Sequence, residues 1–207
     1  MKEALALFFT LSLYLLPNPT HSTRNPIRLP TAASGGIPVV DMEGDELQPG
    51  KPYMLRSWNW THGGVRLASL DGATTICPSD VILGCKLDYG STVTFTPADP
   101  NAAVVLRSSF LNIQFAVPTV RLCANNVSWE VEYEASSGQR FVKAGDVLSH
   151  PFKIESIAPG LRAYMITYCE SGTDNCYEVG SHYGQQTRLA LSTDEVYAVT
   201  FMKPRDV

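Results

Sequence analysis

An all-β domain, a barrel assembled from three similar units of short antiparallel strands, is what this sequence predicts, and three observations predict it. Short runs rich in β-branched and aromatic residues recur: Tyr53 to Ser57, Val65 to Ser69, Val81 to Leu83, Thr92 to Thr96, Asn112 to Val117, Trp129 to Tyr133, Phe152 to Ile157, Tyr164 to Cys169, Thr187 to Leu191 and Val196 to Met202. Punctuators such as Glu43-Gly44-Asp45 and Gly63-Gly64 separate them, and no long stretch carries the 3.6-residue apolar period that an α/β enzyme fold would need. Third, Val65-Arg66-Leu67-Ala68, Val120-Arg121-Leu122-Cys123 and Arg188-Leu189-Ala190 echo one another. That spacing divides the chain into three units of roughly 55 to 60 residues, as in a β-trefoil.

The first 22 residues stand apart. Lys2 precedes an uncharged apolar run, Ala4 to Leu16, followed by Pro17, Pro19 and the small residues Thr20 and Ser22. This is the pattern of a secretory signal peptide, and the run falls short of the roughly 20 residues a membrane span requires. Residues 23–33 read as an exposed arm, rich in proline and small residues, and residues 34–207 as the folded domain. Within the arm, Asn25-Pro26-Ile27-Arg28-Leu29 resembles the sorting signal in N-terminal propeptides of plant vacuolar proteins. The resemblance implies passage through the secretory pathway to the plant vacuole, with no membrane attachment once the signal is removed.

Sixteen Lys and Arg stand against 20 Asp and Glu, with no basic cluster, so a nucleic-acid partner is excluded. His62, His150 and His182 are scattered, and no Gly-x-Ser-x-Gly elbow or Ser, His and acid pattern occurs, so an enzyme is not expected. No cofactor is called for. Trp58, Trp60 and Trp129 are expected to fill a barrel end or the core rather than to form a sugar-stacking platform. Asn59-Trp60-Thr61 and Asn126-Val127-Ser128 match the N-glycosylation sequon.

The five cysteines are Cys77, Cys85, Cys123, Cys169 and Cys176, and in an oxidising compartment they leave two bridges and one spare thiol. Cys169 and Cys176 flank Ser171-Gly172-Thr173-Asp174-Asn175, and a local hairpin bridge is the simplest pair. Cys77, Cys85 and Cys123 then share the second bridge, of which a Cys77–Cys123 pairing would constrain the unfolded chain by roughly 4 kcal/mol. No two cysteines have the C-x₂₋₄-C spacing of a zinc site, so no metal is expected.

One stretch is built for presentation. From Ser91 to Cys123 the chain reads strand, exposed loop, strand, with the alternation of Val93 and Phe95 broken at Pro97 and Pro100 and resumed at Ile113. The loop core, Pro97 to Ala103, combines preset proline φ angles with small side chains, so a segment lying in another protein's cleft would lose little ordering entropy on docking.

Pro38 to Leu47, Tyr53-Met54-Leu55, Gly63 to Ala68, Phe152-Lys153-Ile154-Glu155 and Thr187 to Leu191 resemble the plant Kunitz-type protease inhibitors over essentially all of the domain. Leu11 to Pro19, Asn25 to Pro30 and Leu122 to Trp129 resemble the vacuolar storage branch of that family. The resemblance implies a β-trefoil, bridges Cys77–Cys123 and Cys169–Cys176, and inhibition of serine proteases, trypsin-like or elastase-like, combined with storage; storage alone is the alternative. It gives Cys85 no counterpart, leaving that thiol free in a monomer or joined to a second chain in a dimer. It places the reactive loop at Pro100, Asn101, Ala102, Ala103 and Val104, with Ala102 where trypsin inhibitors of the family hold Arg or Lys. Arg107 is the alternative contact residue, and Pro49 stands where the family often has an Asn that braces the loop.

Overall fold

The computed structural model describes residues 36–70, 78–116, 127–191 and 194–204. The expected signal peptide and sorting segment, Cys77, Cys123, Asn126 and the middle of the three echoes lie outside them. The described residues form thirteen strands: β1 (Tyr53–Ser57), β2 (Val65–Ala68), β3 (Asp80–Leu83), β4 (Thr92–Pro97), β5 (Leu111–Phe115), β6 (Ser128–Glu134), β7 (Gln139–Gly145), β8 (Phe152–Ser156), β9 (Tyr164–Cys169), β10 (Cys176–His182), β11 (Arg188–Leu191), β12 (Glu195–Val196) and β13 (Val199–Met202).

Their pairings give a β-trefoil. Six strands close a ring by antiparallel pairing in the order β1, β4, β5, β8, β9, β13 and back to β1. Three hairpins, β2–β3, β6–β7 and β10–β11, cap the ring. Within the cap, β3, β7 and β11 pair with one another in a triangle. Each third of the chain therefore supplies two barrel strands and one capping hairpin. Two of the echoes in the sequence, on β2 and β11, occupy hairpin strands of the first and third units.

Period-2 alternation explains what fills the barrel. On β4, Val93 and Phe95 are fully buried while Thr92, Thr94 and Thr96 take the other face, and on β8 Phe152 and Ile154 do the same beside Lys153 and Glu155. Phe95 and Tyr164 each pack on Phe201 with ring centroids 5.4 Å apart. Of the three tryptophans only Trp129 lies in this core, between Phe115 and Phe152; Trp58 and Trp60 are 41% and 55% exposed, contrary to the expectation for them. They sit in the β1–β2 connection, outside the strands whose alternation fills the barrel.

Gly63 and Gly64 do more than punctuate. A Cβ on Gly63 would meet the Cys85 carbonyl oxygen at 2.0 Å, and one on Gly64 the Tyr89 carbonyl oxygen at 2.0 Å. The β1–β2 and β3–β4 connections are sewn together there by Gly63 N–H to Gly84 O and Gly64 N–H to Asp88 O, at 2.9 and 2.8 Å. Gly64→Ala is therefore expected to destabilise the fold by about 1–3 kcal/mol, since the clash is with backbone that cannot rotate away. A urea midpoint equal to that of the unsubstituted protein would contradict this.

Candidate functional site

The connection from β4 to β5 spans residues 98–110 and leaves the end of the barrel opposite the capping hairpins. Pro97 is not part of it: it is the buried last residue of β4 and pairs with Leu111. A proline without an N–H is tolerated at such a strand end. Ala98 N–H donates to Phe110 O at 2.8 Å and closes the base.

Two anchors hold the loop and leave an arc between them. The first is a β-turn in which Ala102 N–H donates to Asp99 O at 3.2 Å, with Pro100 preset for the second turn position. The Asp99 carboxylate accepts Asn101 N–H at 2.9 Å, an interaction typical of Asp at a turn start. The second anchor is the N-terminal segment. Val105 N–H donates to Leu47 O, Val39 N–H to Val105 O and Arg107 N–H to Ile37 O, at 2.8 to 2.9 Å, and Pro38 bridges Leu106. Val105 is fully buried and pins the arc to the core. Between the anchors, Pro100, Asn101 and Ala103 are exposed, and Ala102 and Val104 are half-buried.

Arg107 does not share this presentation. Its guanidinium carbon lies 5.5 Å from the Tyr164 ring centroid, its Nε is buried, and its backbone is tied to Ile37. Beyond it Ser108, at φ 57°, donates its backbone N–H to Ile154 O at 3.0 Å and its hydroxyl to Glu155 at 2.6 Å. The Arg107 side chain is thus turned back toward Tyr164 and is not offered with the arc. Pro49 is half-buried, and the adjacent Gly50 N–H donates to Phe95 O on β4 at 3.0 Å, so this segment is tied by backbone to the strand that leads into the loop.

The remaining candidates lie elsewhere. Cys169 and Cys176 form a disulfide that closes the β9–β10 hairpin, and Cys85 is a free, exposed thiol in the β3–β4 connection. Asn59 is exposed in the β1–β2 connection. Sequence reasoning found the arc and missed its second anchor. Asp99-Pro100-Asn101 is a turn signal readable from the chain, but nothing local marks Val39, Leu47 and Ile37 as the partners of residues 105–107.

Residues 39–203 match the family model described as trypsin and protease inhibitor, of the legume Kunitz type. The chain is 46% identical to sporamin B of Ipomoea batatas, covering 99% of this chain and 100% of that protein. It is 30% identical to serine protease inhibitor 5 of Solanum tuberosum, covering 93% of this chain and 96% of that one. Among solved structures, MP-4 from Mucuna pruriens superposes with a TM-score of 0.70 at 25% identity, covering 81% of this chain and 99% of that one. With the closed ring, the three capping hairpins and the anchored arc, these matches show that the chain belongs to the Kunitz-type trypsin and protease inhibitor family.

Proposed function

We propose that this protein inhibits serine proteases by laying the arc Pro100 to Val104 in the enzyme's cleft, with Ala102 offered to the specificity pocket. The observation that carries this reading is the arc itself: small side chains held between a turn at Asp99 and a buried anchor at Val105, so that docking orders little that is not already ordered. The family to which the chain belongs supports the same reading. Because Ala102 is small and Arg107 is folded back onto Tyr164, the arc suits an elastase-like pocket better than a trypsin-like one. The sorting-like segment and the likeness to sporamin support a route through the secretory pathway to the plant vacuole, where the same chain also serves as storage.

The test is a titration of the purified protein against serine, cysteine and aspartic proteases, with Arg107→Ala alongside. Inhibition is expected for serine proteases, tighter for elastase than for trypsin, and Arg107→Ala should change either constant by less than about three-fold once its folding is verified. Loss of trypsin inhibition in Arg107→Ala would make Arg107 the contact residue. Absence of inhibition by every form at micromolar concentration would leave storage alone.

A further inference from the structure

The β1–β2 connection raises a question the inhibitor reading does not answer: two large rings, Trp58 and Trp60, stand exposed on either side of a single exposed asparagine. Two exposed aromatic rings close together in sequence offer apolar surface that a substituent or partner can cover. The loop is not loose. Trp58 N–H donates to Ala198 O at 2.8 Å, and the Asn59 side-chain oxygen accepts from the Ser57 and Thr61 hydroxyls and, at 3.3 Å, from Thr61 N–H. Trp60, at φ 59°, lays one ring face on the Arg56 guanidinium, 4.4 Å from centroid to carbon, and the Tyr89 ring meets the same guanidinium at the same distance. One face of Trp60 is thus occupied by a buried cation while over half of the residue remains open to solvent.

The asparagine between these rings has room for a covalent substituent. An amide nitrogen carries two N–H donors. Asn59 Nδ2 donates to Glu195 Oε1 at 3.2 Å, which occupies one of them, and the bonds of the side chain to Ser57 and Thr61 are made by Oδ1 as acceptor. Replacing the second hydrogen by the C1 atom of a sugar would therefore break none of these bonds. Asn59-Trp60-Thr61 also satisfies the acceptor sequence.

We propose that Asn59 carries an N-linked glycan whose first sugar lies against the open face of Trp60. The inference rests on the secretory route proposed above. In the transfer step a lipid-linked glycosyl diphosphate loses its C1–O bond, Nδ2 forms the new bond to C1, the amide gives up one proton, and the lipid diphosphate is the leaving group. The apolar C–H face of the sugar then covers indole surface that the fold leaves bare, and Trp58 flanks the same attachment point.

The full-length chain expressed in plant cells, in an Asn126→Gln background that removes the second sequon, provides the test. Intact mass and N-terminal sequence are read before and after enzymatic removal of N-linked glycans. A chain that has lost residues 1–22 and carries a glycan is expected; Asn59→Gln and Thr61→Ala should lose it, and Thr61→Ser should keep it. Deglycosylation should then raise acrylamide quenching of tryptophan fluorescence about two-fold in the parent and much less in Trp60→Ala, as expected when a covered ring is bared. A processed chain with an unmodified Asn59 would overturn the inference and leave the route intact. A chain retaining residues 1–22 would overturn the route and the inference with it. A glycosylated chain with quenching unchanged by deglycosylation would overturn the stacking on Trp60.

Discussion

Ala102→Arg is expected to tighten inhibition of trypsin by at least ten-fold and to weaken inhibition of elastase. A trypsin-like pocket holds a buried carboxylate that a cation normally meets, and occupying it with Ala102 leaves that charge unpaired. The forfeited pairing is worth on the order of 3–5 kcal/mol, or roughly two to three and a half decades in the inhibition constant. Restoring the cation recovers part of that, less the cost of ordering a long side chain. The arc tolerates the change because its anchors are backbone bonds at Asp99, Leu47 and Val39, none of which uses the Ala102 side chain. Asn101→Arg is the control for register, since Asn101 is the more exposed neighbour. If Asn101→Arg gained trypsin inhibition and Ala102→Arg did not, the residue offered to the pocket would be one position earlier.

Arg188→Ala is expected to destabilise the fold by about 3–5 kcal/mol, the usual cost of stranding a buried charge. At the centre of the cap triangle, Arg188 on β11 bonds Asp80 on β3 at 2.7 Å and Glu134 on β6 at 3.0 Å, and its guanidinium lies 3.5 Å from the Phe141 ring centroid on β7. The Asp80 side chain is only 3% exposed, and removal of Arg188 takes away the nearer of its two ion pairs, leaving Lys143 at 4.0 Å. Asp80→Ala combined with Arg188→Ala should cost less than the two separate losses added. The same network sets an acid dependence. Hydrogen bonds from Ser137 and then Arg188 hold the Glu134 carboxyl below its ordinary value of 4.5. A carboxyl depressed in the folded state contributes stability that is present above its unfolded value and is lost as pH falls through the folded one. Urea midpoints should therefore fall on acidification below about pH 4.5, and less steeply in Arg188→Ala than in the parent. A parallel fall in both would remove Arg188 from that account.

Much of the barrel is legible in the chain because its strands alternate. Tyr53 to Ser57 and Tyr164 to Cys169 are read at the boundaries the structure gives them. Two strands are not legible, for different reasons. On β7, Phe141 and Val142 are adjacent and both buried, Val142 in the core and Phe141 against Arg188 and His182; alternation is lost where both faces are covered. On β10, Cys176-Tyr177-Glu178 reads as the far end of a disulfide turn and Gly180 breaks the pattern, yet register with β9 and β11 extends the strand to His182. The single run expected from Val196 to Met202 is split because Tyr197 turns inward and donates its hydroxyl to Gly63 O at 3.1 Å. Ring closure through β1–β13 and β5–β8 joins segments far apart in sequence, and no local pattern encodes it. The same limit applies at the site. The small residues of the arc are visible in the chain, whereas the inward direction of Arg107 depends on Tyr164, a contact that only the folded barrel creates.

Hydrogen exchange of the purified protein with and without elastase tests the central claim most directly. The account predicts that complex formation slows exchange at the amides of Asn101, Ala102, Ala103 and Val104, while strands of the capping hairpins exchange as they do in the free protein. Protection confined to another connection, such as residues 157–163 between β8 and β9, with residues 101–104 unchanged, would contradict it.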